Sequence, residues 1–202
     1  MLYRTAAALF LTFIITAGCS MTHSDPENPK KNPHPVKRYE VTATSDAPGP
    51  WDSIKGYIGY DIEKAKDGIA KCVPMDSFLG EQSLTSIGID IEMTRVDDHT
   101  WRGYFYRDAL QDEDYYNLGV CHWDVTSVSV STMAQGVRFA WSGPFDDLLH
   151  DSPETSYFKK SVYGDRSSAR YGAPDYSPLR PEYKQNPGDF FPVTLAVKEV
   201  AP

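Results

Sequence analysis

In 202 residues, 28 acidic side chains stand against 20 basic ones, giving a net charge of −8 and a sequence pI near 5.1. That balance is the wrong sign for a nucleic-acid backbone, whose binders draw much of their affinity from Lys and Arg. A 41% hydrophobic share is enough for one packed core, and the length allows a single domain behind a leader.

Arg4 precedes an apolar run from Ala6 to Ala17, closed by Gly18 and Cys19. A charged start, a short apolar stretch and small residues describe a secretory signal peptide over residues 1–18. The run falls short of the about 20 apolar residues that cross a bilayer. Thr16-Ala17-Gly18-Cys19 resembles the bacterial lipobox, with Thr16 where Leu is commoner. The resemblance implies cleavage before Cys19 and a diacylglycerol on its sulfur, each buried methylene adding about 0.8 kcal/mol of membrane affinity. Ser20 follows where Asp would favour inner-membrane retention, so the same resemblance points to the outer membrane, with the protein facing the periplasm. The rest of residues 19–38 holds four prolines and, as aliphatic residues, only Met21 and Val36. It reads as a disordered tether that holds the domain tens of ångströms from the bilayer.

Residues 39–202 form the expected domain. Five basic and two acidic residues precede it, leaving 15 basic against 26 acidic, a net of −11; such a surface steers toward a basic partner. Apolar and polar residues alternate over Tyr39–Thr44, Tyr57–Ile62 and, most clearly, Ile87–Met93. Val96-Asp97-Asp98-His99 is a polar break before WRGYFY, Trp101–Tyr106, which predicts a hairpin. Asp108–Gln111 is expected to make a short helix with Asp108 as N-cap, and Phe145–His150 another. Val125, Val128 and Val130 lead through Gly136 into VRFAW, a second hairpin. Ser152–Gly188 has no sustained period and reads as a long loop, with Tyr157, Tyr163, Tyr171 and Tyr176 as a second candidate contact surface. A last strand covers Phe190–Val197, with Pro192 at an edge or at the strand's start. The fold class is therefore mainly β: an antiparallel β-sandwich with one or two short helices and a long C-terminal loop region.

With Cys19 set aside for lipid, Cys72 and Cys121 remain. In an oxidising compartment they are expected to pair, adding roughly 4 kcal/mol on the loop-entropy model. They lack the further ligands at workable spacing that a zinc site needs. Around Cys121 runs QDEDYYNLGVCHW, Gln111–Trp123. Alternation puts Cys121 and Trp123 on one face, and Val120 and His122 on the other. Asp112, Glu113 and Asp114 are consecutive, so they cannot all be buried as an acid/base pair requires. Calcium finds hard oxygens there but not the ligand spacing of an EF-hand loop. A solvated charged turn is the plain alternative to a docking surface. The chain has no GxSxG, HExxH, Walker loop or dinucleotide fingerprint, and assembling a Ser/His/Asp set from its many serines is arbitrary. Binding is thus expected instead of catalysis, with no cofactor and no metal.

Five segments together carry a resemblance: Ala47–Trp51 (APGPW), Lys55–Ile62 (KGYIGYDI), Cys72–Pro74 (CVP), Thr94–Trp123, and FFPVTLAVKE near the end. Together they resemble small bacterial lipoproteins encoded beside type VI secretion effectors, particularly lipases. Trp51 stands for the family's Phe, Trp101 for its Tyr, and Asn117 where Gly is usual. The resemblance implies an immunity protein that binds and blocks a cognate secreted phospholipase. Expected contact residues are Asp112, Glu113, Asp114, Tyr115 and Tyr116, one of the two tyrosines pointing inward. Asp97, Asp98 and the exposed part of Trp101 extend the surface if their hairpin lies on the same side. Acids around aromatic anchors suit fast, tight protein recognition. Two other classes share these features: a structural lipoprotein of an envelope assembly, and a carbohydrate-binding or weakly enzymatic domain.

Overall fold

The computed structural model describes residues 24–150 and 153–202. The signal peptide and the lipidation expected at Cys19 lie outside the described residues. Eight strands follow in chain order: β1 (Arg38–Ser45), β2 (Ser53–Ile62), β3 (Ser86–Arg95), β4 (Thr100–Tyr106), β5 (Trp123–Ala134), β6 (Val137–Pro144), β7 (Glu154–Lys159) and β8 (Phe190–Glu199). Helix α1 (Phe145–His150) separates β6 from β7, and α2 (Pro181–Gln185) precedes β8. All pairings are antiparallel, in the order β6-β5-β2-β3-β4-β1-β8-β7.

The eight strands form one nearly closed antiparallel sheet that bends at β3. Ser86–Glu92 of that strand pair with β2, and Met93–Arg95 pair with β4; a strand that changes partners along its length turns the corner between two layers. Room at the corner comes from Gly56 and Gly103, since a Cβ on either would stand 2.5 Å from Ile91 or 2.6 Å from the Met93 sulfur. The inward residues of β1 and β8, among them Val41, Ala43, Phe191, Val193 and Leu195, are fully buried or nearly so. Each large apolar side chain taken from water contributes about 1.5–3 kcal/mol. The far strands β6 and β7 meet through side chains, with Phe139 edge-on to Phe158 at 5.2 Å. Residues 172–176 fill the remaining backbone gap: Ala173 N donates to Arg138 O of β6, and Tyr176 exchanges hydrogen bonds with Tyr157 of β7. Each edge strand thereby gains a local backbone partner at that point, which blunts it as a template for pairing with another chain.

Four expectations are corrected. Residues 24–37 do not form a free tether. Asn32 N donates to Ala109 O, Gln111 N to Lys30 O, and Lys31 bridges Leu110, so the segment is a strap laid antiparallel against the chain after β4. Backbone pairing, which needs no apolar side chain, orders it despite its polar composition. Asp108 starts no helix; its carboxylate accepts from Val36 N and Lys37 N and fastens the strap instead. The region after Ser152 is not all loop, since it contains β7, α2 and 3-10 turns at Lys160–Val162, Arg166–Ser168 and Pro187–Asp189. Trp101 offers little surface, being 7% exposed on the inward face of β4.

Pro192 lies near the start of β8, opposite Tyr157. Tyr157 turns both backbone groups toward Tyr176, so the missing N–H of Pro192 leaves no acceptor unsatisfied there.

The registers sort the connections into two ends. The strap, residues 63–85, residues 107–122 and α1 lie at one, the strap end; residues 46–52, the 96–99 hairpin, the Gln135-Gly136 turn and residues 160–189 lie at the other, the hairpin end.

Candidate partner-binding site

At the strap end the acids of Asp112-Glu113-Asp114 are largely spent on the loop itself. Asp112 accepts from Trp123 N at 3.0 Å, at the start of β5, and meets His122 Nδ1 at 2.7 Å. Glu113 pairs with Cys121 through the backbone and with Lys30 Nζ at 2.7 Å. That lysine's donation holds the Glu113 carboxyl below the usual carboxylate range. Asp114 accepts from Leu118 N. Tyr115 is the inward tyrosine: its hydroxyl donates to Gln111 O and accepts from Trp123 Nε1, both at 3.0 Å. Tyr116 is half-buried beside it. Asn117 has φ 61 and Gly119 φ 110; the first lies in the left-handed region, where Asn is tolerated best after Gly. The Cys72–Cys121 disulfide is formed, with a Cα–Cα distance of 5.3 Å, and both Cys121 and Trp123 are buried while Val120 and His122 face outward.

Asp97 and Asp98 are at the opposite end, so no single contact patch holds both groups of acids. Asp97 accepts from His99 N at 2.8 Å, and this backbone donor keeps its carboxyl below the usual range. Asp98, its side chain 86% exposed, accepts from Arg95 Nη2 at 2.6 Å, and Arg95 Nε donates to Asp97 O at 3.0 Å. His99 Nδ1 lies 2.9 Å from Ser45 O and 4.0 Å from the Asp46 carboxylate.

This hairpin forms one wall of a cleft of about 310 Å³, and Ala47-Pro48-Gly49-Pro50-Trp51 forms the other. Two prolines stiffen that second wall by fixing φ. Trp51 anchors it in the core, edge-on to Phe139 at 5.0 Å and to Tyr163 at 5.6 Å. The Tyr163 hydroxyl donates to Pro50 O. Trp51 Nε1 is a buried donor without a protein acceptor. Of the later tyrosines, Tyr163 supports this cleft, Tyr157 and Tyr176 pair with each other, and Tyr171 stands 83% exposed.

A second, polar cleft of about 510 Å³ opens at the strap end, lined by Glu63, Arg107, Asp108, Asp112, His122 and Asp124 among others. Four of its side chains are engaged with one another, Arg107 with Asp124 and His122 with Asp112. Arg107 grips Asp124 with two bonds of 2.5 Å; these bonds and the Asp124 charge raise the guanidinium pKa, outweighing burial, which lowers it. His122 meets Asp112, but no Ser or Cys side chain lines the cleft to serve as a nucleophile.

Sequence reasoning singled out APGPW as part of the resemblance but not as a contact wall, although a Pro-Gly-Pro run ending in Trp is a signal for a stiff loop with an aromatic root. It missed the Phe78-Leu79 turn described below. Comparison with protein-family models, with curated proteins and with solved structures gives no match. Among the described residues no helix is long and apolar enough to cross a membrane.

Proposed function

We propose that the chain is a lipid-anchored, periplasm-facing protein that binds a phospholipase delivered by a type VI secretion system and neutralises it. The observation that carries this reading is the hairpin-end cleft. Two segments far apart in sequence, APGPW and VDDHTW, both among those that resemble the immunity lipoproteins, meet there. They do so around the exposed Asp98–Arg95 ion pair, with Trp51 among the lining residues. A stiff cleft with an acidic rim suits a basic protuberance of a protein partner, and preorganisation keeps the ordering cost of binding low. The surplus of acids over the domain speeds the encounter. Confinement to the membrane on which a phospholipase acts raises the effective concentration of the inhibitor.

The test is capture of the secreted phospholipase by the full chain, with association rates measured over a salt series. Replacing Asp97 and Asp98 by Asn should slow association about two- to tenfold at low salt and flatten its salt dependence. The melting temperature should change little, because exposed substitutions usually stay within about 0.5 kcal/mol. Replacing Asp112 by Ala should do the reverse, lowering stability by roughly 1–2 kcal/mol through the lost hydrogen bond to Trp123 N. Capture of an envelope-assembly subunit in place of a phospholipase would favour the structural class. Turnover of a substrate, abolished by one side-chain change, would favour the enzymatic one.

A further inference from the structure

We propose that the turn carrying Phe78 and Leu79 is a bilayer contact that orients the domain with its strap end on the lipid surface. The proposal rests on the lipid-anchor reading of Cys19. Phe78 is 93% exposed and Leu79 66%, yet the turn that presents them is fully built. The Asp76 carboxylate accepts from Phe78 N and Leu79 N, both at 2.8 Å, and Gly80 N donates to Asp76 O. Asp76 N donates to Glu81 O, and Gly80 takes φ +68. The base is equally fixed. Gln82 bonds to Ala70 and Val73 through its side-chain amide, and Cys72 is tied to Cys121. These bonds hold the turn without its two crest side chains, so their apolar character serves something outside the chain.

The position of the anchor identifies what that is. Ser24 is held at the strap end, its hydroxyl 3.2 Å from Lys30 Nζ, which in turn pairs with Glu113. Between Cys19 and Ser24 the chain advances five residues, at most about 18 Å when fully extended. A diacylglycerol on Cys19 therefore keeps this end, and not the hairpin end, within reach of the headgroups. On the same end Met75 is 46% exposed, and Leu118 and Val120 are each 52% exposed, on a loop joined to the turn's base by the disulfide. With the anchor inserted, entry of the turn is intramolecular, so even weak apolar partitioning populates it. Acids outnumber bases in the strap-end connections, so the contact is apolar in character and independent of anionic lipid. The hairpin-end cleft then faces away from the bilayer, open to a partner.

The experiment uses the full, lipidated chain in vesicles of phosphatidylcholine and phosphatidylethanolamine. An environment-sensitive fluorophore is placed at Phe78→Cys or, for comparison, at Ala169→Cys, exposed at the hairpin end, with the native disulfide verified by mass. The label at 78 should be quenched several-fold more by lipid-borne quencher than the label at 169. Adding phosphatidylglycerol should leave that difference unchanged. Protein that sediments with the vesicles while both labels stay equally open to an aqueous quencher overturns the contact alone. Protein that remains in the supernatant overturns the anchor reading and the contact with it. Shielding of position 78 that appears only when a phospholipase is added also overturns it, marking the turn as a protein contact.

Discussion

Glu40 shows how one outward-facing residue of a strand becomes a buried charge. It lies on the outer face of β1, 5% exposed, with Lys198 Nζ at 3.0 Å, Tyr104 Oη at 3.1 Å and Arg102 Nε at 3.2 Å. Burial taken alone raises a carboxyl's pKa. Here the bonds from Lys198 and Tyr104 and the nearby charges outweigh it, and Glu40 is held below its ordinary value of 4.5. A folded pKa below the unfolded one means the contribution is present above about pH 4.5 and is lost as pH falls through the lower folded value. Glu40→Gln should therefore lower stability at neutral pH and flatten the acid limb of a plot of denaturation midpoint against pH. An unchanged acid limb would assign that slope to other carboxylates. Residue type and alternation predict that Glu40 faces outward; the neighbours that bury it come from β4 and β8, far away in sequence.

At the scale of the element, β3 decides the architecture. Its alternation of Ile87, Ile89, Ile91 and Met93 was legible, but its change of partner at Met93 was not, because pairing depends on which strands arrive on either side. The close approach at that corner makes Gly103→Ala a sharp test. The new Cβ would meet the Met93 sulfur at 2.6 Å and the fixed Glu92 carbonyl at 2.9 Å. Backbone cannot yield as a side chain does, so a loss of roughly 1–3 kcal/mol in chemical denaturation is expected. The strand β7 escaped notice because of its six residues only Phe158 is fully buried, which erases the period of two. By contrast α2 left a usable signal, with Pro181 in its first turn.

For the whole molecule, the Cys72–Cys121 bridge joins the long β2–β3 connection to the loop before β5, across 49 residues. Cys72→Ser should cost about 4 kcal/mol by releasing that loop in the unfolded chain. Unfolding of the native protein with and without reductant should show the same difference. Because the bridge fastens the strap end, its loss should loosen residues 63–85 first, visible as faster amide exchange there than in β1 or β8. The same division into ends separates the candidate contacts: Asp112–Tyr116 support the strap end, while Asp98 lines the cleft at the other, with Asp97 next to it in the hairpin.

The sequence by itself determined the mainly β class, most of the strands, the two hairpins, helix α1 and a pair of cysteines suited to a disulfide. These are set by local periodicity, turn chemistry and residue type, which act over a few neighbours. Only the tertiary structure decided that the acids of the DEDYY loop are consumed as hydrogen-bond acceptors, that residues 24–37 are a strap, that Trp101 turns inward, and that APGPW meets VDDH. Each of these depends on a partner brought close by strand order and register, and no pattern along the chain encodes which distant backbone group will stand opposite a given side chain.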